Sequence, residues 1–367
     1  MPLSVTDLSG WGPLGHHWDA LVDRTDGIDP WCSRLPWQRS VDTAFGHRFT
    51  ADETDDETDD GPDSDPAGGP DSDPAGGPGD RAPDRGPDHV QVEERWAFAF
   101  RQRHFADGTP VLVPLDSVWA FASPFVVDGS AERRPFASEV ADMTRSLAGH
   151  RDWRVAFLTG TDPQSGLHAG LVDSFSGLAR VVGGESTVRC VASLVDGIDA
   201  FLGRRPRVFR RNLRAATRLA TGSGIGFSIA DHHPPAMILQ RLHHVEQRSW
   251  KGLEGSGITS PDMARLYGLL VEELHSTSSL RVSFATRDGK DLGFILGGVL
   301  GSSYRGLQIS FVEEARPYSI GNLLQLHEIT RLCEESVPRY DLGMDMPYKR
   351  LWSDSLMTTT PLIVIRW

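Results

Sequence analysis

Two apolar runs, Leu280–Arg287 and Leu292–Leu300, flank an Asp288-Gly289 pair. An Asp-Gly dipeptide readily supplies the left-handed residues of a tight hairpin turn, so the runs read as adjacent antiparallel strands. Tyr304–Val312 reads as a third strand. A helix precedes them. Pro261 takes its first position after Ser260, and Met263, Leu266, Tyr267, Leu270, Val271 and Leu274 form an apolar stripe at helical spacing. After the third strand come a turn, a helix over Gly321–Glu335, a strand over Arg339–Leu342 and a last apolar strand over Pro361–Ile365. Upstream, Arg207–Gly222 reads as a two-faced helix stopped by Gly222. Phe209, Leu213, Ala216 and Ala220 lie on one face, with Arg207, Arg211, Arg214 and Arg218 on the other. A strand over Ile225–Ala230 and a helix over Pro235–Trp250 fill the interval. Helices around an antiparallel run of strands make this an α/β chain of the α+β kind.

The first half carries similar signals in a weaker form. Glu94–Arg101 and Thr109–Leu115 read as strands joined through Ala106-Asp107-Gly108, Phe136–Gly149 as a helix, and Trp153–Gly160 as a short strand. No catalytic motif is visible there. The length of 367 residues is comfortable for two domains, with a boundary expected at 190/191.

Charge is concentrated in one place. The net charge is −13, yet Ala51–His89 alone holds fourteen acidic residues against Arg81 and Arg85, leaving the remainder close to neutral. This stretch repeats Gly-Pro-Asp-Ser-Asp-Pro-Ala-Gly at 61–68 and 69–76. With nothing apolar to bury and its charges repelling, residues 51–89 are expected to be a disordered, low-complexity acidic insert. No run approaches the roughly 20 apolar residues of a membrane span. Cys32, Cys190 and Cys333 are too few and too scattered for a disulfide framework or zinc knuckle. The N-terminus lacks a secretory pattern, so a cytoplasmic protein is expected. The histidine pairs lack metal-ligand spacing, and no metal is expected. Gly222–Gly226 follows a helix instead of a strand, the wrong setting for a dinucleotide.

Several short motifs then narrow the class. Phe209-Arg210-Arg211-Asn212-Leu213-Arg214, Ser249-Trp250-Lys251, Tyr318-Ser319-Ile320-Gly321-Asn322-Leu323-Leu324 and Tyr340-Asp341-Leu342-Gly343 with Tyr348-Lys349 occur in this order. Together with the order of elements, they resemble the CelD-like (cellulose-biosynthesis-type) acetyltransferases of the GNAT fold, which are related to the Fem-type aminoacyl transferases. Pro36-Trp37 and Val118–Pro124 resemble the N-terminal region of the same family. The resemblance implies two GNAT-like halves and transfer of an acyl group from acetyl-CoA or another acyl-CoA to a small-molecule or peptide amine. The Fem-type alternative takes its group from aminoacyl-tRNA. A third reading is an acyl-CoA-binding relative without catalysis.

The donor site is expected at the turn into the helix near Gly321. Unpaired backbone N–H groups at a helix start, backed by its dipole, suit a pyrophosphate. Tyr318, Ser319, Ile320, Gly321, Asn322 and Leu323 form that turn, and Arg316 could add a charged contact. Tyr318 stands where the family's usual loop has Arg or Gln, so the loop is a degenerate version. The chain writes Arg almost everywhere and Lys only at 251, 290 and 349. A retained Lys fits a need for a compact, titratable ammonium. Lys349 with Tyr348 is expected in the acceptor cleft, and Trp250 with Lys251 at the substrate. Amide formation needs a neutral amine, hence a base, for which Glu246 and Asp341 are candidates. The arginine face at 207–218 suits solvent, donor phosphates or a tRNA backbone.

Overall fold

A computed structural model describes residues 3–4, 12–45, 88–130, 136–253 and 257–367. The first part of the chain forms β1 (Leu3–Ser4), α1 (Gly12–Val22), α2 (Leu35–Phe45), β2 (Asp88–Val92), β3 (Trp96–His104), β4 (Pro110–Val113), β5 (Phe125–Val127), α3 (Phe136–Gly149), β6 (Val155–Leu158), α4 (Gly166–Ser176) and β7 (Ala179–Gly183). The second part forms β8 (Thr187–Ser193), α5 (Gly197–Gly203), α6 (Arg207–Gly222), β9 (Gly226–Ile229), α7 (Pro235–Glu246), α8 (Trp250–Leu253) and α9 (Pro261–Ser276). It continues with β10 (Leu280–Arg287), β11 (Lys290–Leu300), β12 (Ser303–Phe311), α10 (Ile320–Glu334), β13 (Arg339–Met344), α11 (Pro347–Arg350), β14 (Ser355–Thr359) and β15 (Leu362–Arg366).

The strands make two sheets with one plan. The first runs β1-β2-β3-β4-β6-β15-β7, with β5 on β3; the second, read from its far edge, runs β9-β10-β11-β12-β13-β8-β14. Each has three antiparallel strands, a helix, and then a strand parallel to the third. The parallel pairs are β4 with β6 and β12 with β13. The mixed α/β architecture with two GNAT-like halves is therefore present, although no repeat is visible in the sequence of the folded segments.

The halves exchange strands reciprocally. β8 follows β7 in the chain but enters the second sheet between β13 and β14, while β15 follows β14 but enters the first between β6 and β7. The two crossing links run side by side, with Gly184 N–H donating to Pro361 O at 2.8 Å. A β-carbon on Gly184 would stand 2.8 Å from Pro361 Cγ, so the crossing needs glycine. A boundary at 190/191 therefore falls inside β8, and neither sheet is built from one continuous stretch of chain.

The expected acidic insert, 51–89, lies outside the described residues except at its end, where Asp88 and His89 open β2. α9 begins at Pro261 as expected and buries Leu266, Tyr267, Leu270, Val271 and Leu274. Asp288 and Gly289 have φ of 51° and 74°, the hairpin geometry the dipeptide predicts. The helix expected over Pro235–Trp250 stops at Glu246, because the chain folds back on itself: a β-carbon at Gly252 would stand 2.1 Å from Glu246 O. Ser249 then bridges to Val312 at the end of β12. No helix among the described residues is long and apolar enough to cross a membrane.

Candidate active site

The second sheet opens at one point. β12 and β13 pair only at Ser303↔Arg339, Tyr304↔Tyr340 and Arg305↔Asp341. Beyond that, β12 runs to Phe311, whereas β13 bulges against β8 and turns through Gly343 at φ 83°. Past the split, side chains supply partners to β12 carbonyls. Tyr267 Oη donates to Leu307 O at 2.9 Å and Lys251 Nζ to Ile309 O at 3.1 Å. Buried carbonyls require such partners.

A buried charge cluster forms the root of the split. Asp341 Oδ2 accepts from Arg305 Nη1 at 2.7 Å and from Arg189 Nη1 on β8 at 3.1 Å, and its Oδ1 accepts from Gly343 N–H at 2.8 Å. Arg189 also pairs with Asp29 of the first half, which lies 3.8 Å from Arg305 Nη1. Two guanidiniums thus meet two carboxylates, which is what buried charges need. Burial works to raise the Asp29 carboxyl, but the Arg189 and Arg305 charges prevail and hold it at about 2. The Phe121 ring centroid lies 5.1 Å from the Arg189 guanidinium carbon and 4.9 Å from that of Arg305. Asp341, expected as a general base, has both of its oxygens engaged in this cluster.

Lys349, on α11, lies beside this cluster. Its Nζ is 3.3 Å from where a β-carbon of Gly343 would stand. Burial, with repulsion from Arg305, lowers Lys349 to about 8, while Asp341 opposes the shift. Tyr348 next to it is half exposed, and burial raises its hydroxyl. Lys251 is also lowered by burial, with Glu246 opposing. Glu246 is fully buried: Oε1 accepts from Gln308 Nε2 at 2.8 Å and from Ile258 N–H at 3.4 Å, whereas Oε2 has no partner among the described residues. Trp250 is half exposed, on α8 rather than on the helix of Glu246, with its ring 5.9 Å from Lys251 Nζ.

The expected donor turn follows β12 directly. A 3-10 segment, Glu313–Tyr318, passes into α10 through Ser319 at φ 54°, and no side chain caps the helix. The first N–H groups of α10, from Ile320 onward, have no acceptor within the helix. Ile320 and Leu323 bury their side chains, so they offer a ligand only backbone; Gly321 packs against the Phe311 ring, and Asn322 is exposed. Arg316 is exposed and paired with Glu313 at 2.9 Å, while Tyr318 Oη accepts from Arg287 Nη1 at 3.2 Å. The turn thus presents backbone N–H groups, with Arg316, expected to add a charged contact, paired to Glu313 at its surface.

A cavity of about 150 Å³ adjoins the split. Trp37, Trp119 and Phe121 come to it from the first half, and Leu266, Tyr267 and Leu270 from α9, with Arg305–Leu307 of β12 completing the lining. The motifs Pro36-Trp37 and Val118–Pro124 thereby meet the second half's strand opening. Asp116 fixes this loop, accepting from Trp37 Nε1 at 2.9 Å and from the Phe121 and Ala122 N–H groups at 3.1 Å. Burial pushes its carboxyl up to about 6 against those bonds. A larger groove of about 640 Å³, at Gly27, Asp162, Arg339 and Thr359, contains none of the predicted residues.

Arg189, Arg305, Asp29 and Gln308 were not among the predicted site residues. The available signal was a charged residue inside an apolar strand run, as in Val188-Arg189-Cys190-Val191. No metal was expected; among the described residues His89, His150 and Asp152 bring ligand atoms within 4.8 Å of one another in the first half.

Residues 207–350 match the family model described as an acetyltransferase (GNAT) domain. The strand opening, the helix start and the buried lysine all lie in that segment. It is this segment of the chain that is similar to the GNAT domain. Over nearly its whole length it is similar to the structure of FemX, with 11% identity, 98% of this chain and 96% of that one covered, and a TM-score of 0.62. A conserved protein of unknown function from Bacteroides thetaiotaomicron VPI-5482 aligns over 100% of this chain and 99% of its own, with 9% identity and a TM-score of 0.57. At these identities the likeness is one of fold. No curated protein matches the chain.

Proposed function

We propose that the protein is an acyl-CoA-dependent N-acyltransferase, with the thioester lying along the opening between β12 and β13. The observation carrying this reading is the convergence of Lys349, Lys251 and the uncapped start of α10 on one strand split. The backbone N–H groups at Ile320, Gly321 and Asn322 take the donor's pyrophosphate. An amine attacks the thioester carbonyl; the C–N bond forms, the C–S bond breaks, and the thiolate takes a proton from Lys349. At about 8, Lys349 is well matched to a thiol of ordinary value about 8.5. Glu246, through its unpartnered oxygen, receives the amine proton directly or through water. Tyr348 and Trp250, both half exposed, border the acceptor. The CelD-like branch is the narrower reading, supported by the order of the motifs.

Titration calorimetry with CoA and acetyl-CoA, followed by thiol release across an amine panel, tests this. Micromolar binding with transfer is expected; no detectable binding of either sinks the proposal. The Fem-type reading is favoured by one observation. Arg207, Arg211, Arg214 and Arg218 are all exposed on α6, with no acidic partner in reach among the described residues. Steeply salt-dependent tRNA binding would favour it.

A further inference from the structure

We infer that the donor's acyl group is larger than acetyl: an apolar chain or ring of about six carbons, seated in the cavity between Trp37, Trp119 and α9. This rests on the acyl-CoA reading above. The cavity shares Arg305, Gly306 and Leu307 with β12, and Arg305 belongs to the last pair before β13 departs. A group on the carbonyl of a thioester lying in that opening is therefore directed at the cavity. Its volume of about 150 Å³ matches an apolar cavity known to hold benzene at about 150 Å³. Acetyl would fill a small part of it.

The chemistry of the lining selects the same class. Leu266 and Leu270 present aliphatic surface, and Trp119 packs on Trp37 and Phe45 with ring centroids 5.5 and 5.2 Å apart. The polar groups of Tyr267, Trp37 and Arg305 are already engaged. Tyr267 Oη donates to Leu307 O, Trp37 Nε1 to Asp116, and the Arg305 charge is met by Asp341 and Asp29. A polar acceptor entering here would lose water without gaining a partner, whereas methylenes gain from burial.

The test titrates acetyl-, butyryl-, hexanoyl- and benzoyl-CoA into the full chain, with benzene as a free probe in thermal melts. Hexanoyl- or benzoyl-CoA should bind at least about tenfold more tightly than acetyl-CoA, as the added methylenes allow. Leu270→Trp, which fills the cavity, should lower that ratio at least about fivefold; Leu266→Ala, which enlarges it, should shift the preference to longer chains. Two opposed variants keep the readout interpretable if one fails to fold. Equal affinity for acetyl- and hexanoyl-CoA overturns the inference and leaves the acyl-CoA reading standing. If no CoA thioester binds, both fall, even where benzene raises the melting temperature and shows the cavity to be real.

Discussion

Arg305 and Asp341 are the last residues paired across the parallel strands β12 and β13, and their side chains join the same junction through a 2.7 Å ion pair. Backbone register and buried charge therefore end at one place, which fixes where the sheet opens.

Replacing Asp341 with Asn leaves Arg189 and Arg305 sharing only Asp29. A buried charge stripped of its partner costs about 3–5 kcal/mol. Denaturant unfolding of Asp341→Asn should show a loss of that size. A variant of wild-type stability with a lowered kcat would instead restore Asp341 as the base.

Lys349 should impose a falling limb on the pH–rate profile. Its ammonium is the active form in the proposed reaction, so activity on a weakly basic amine should drop as pH rises through about 8. Lys349→Arg should remove that limb, since a guanidinium stays charged, and lower the rate about 10²-fold by donating poorly. An unchanged limb in the variant assigns it to another group.

Glu328 gives stability its own pH dependence. Burial raises this fully buried carboxyl from 4.5 to about 7, despite Arg331, and Oε1 has no partner among the described residues. The folded chain keeps a proton that the unfolded chain releases. The stabilisation is complete below about 4.5 and lost as pH rises to about 7. Glu328→Gln should therefore gain about 3 kcal/mol relative to wild type between those limits. Parallel stability curves for the two proteins would refute this.

Deleting Pro361–Trp367 removes β15 from between β6 and β7. Leu362 and Val364 are buried at 3% and 0% exposure, and their loss alone costs about 3–6 kcal/mol. Hydrogen exchange should show protection lost at Ala156 and Val181, the partners of Val364, while β10–β12 stay protected. Retained protection at both positions would show that the first sheet closes without β15.

The elements legible in the sequence were those written by local signals. α6 begins at Arg207 and ends at Gly222, and the Asp288-Gly289 hairpin falls where its dipeptide places it, because period and turn chemistry act over a few residues. The reciprocal strand exchange was not legible. β8 and β15 read as ordinary apolar strands, and nothing in a strand's own residues names its distant partner. Glu246 was expected on a longer helix than it occupies. Helical periodicity carried the helix on to Trp250, whereas the close contact of Gly252 with Glu246 O breaks it. Arg305 went unread because its partners Asp29 and Asp341 are far away in sequence.

The exchange of β8 and β15 has a consequence for synthesis. As the chain leaves the ribosome, β6 and β7 emerge long before the strand that belongs between them, so the early half waits with an open slot. It offers unpaired strand edges to any neighbour, the surfaces from which aggregation starts. Closure comes only when β15 arrives, a pairing of high sequence separation and therefore slow. The first sheet thus matures last, and a nascent chain stalled short of Leu362 leaves it open beside a second sheet whose strands have all been made.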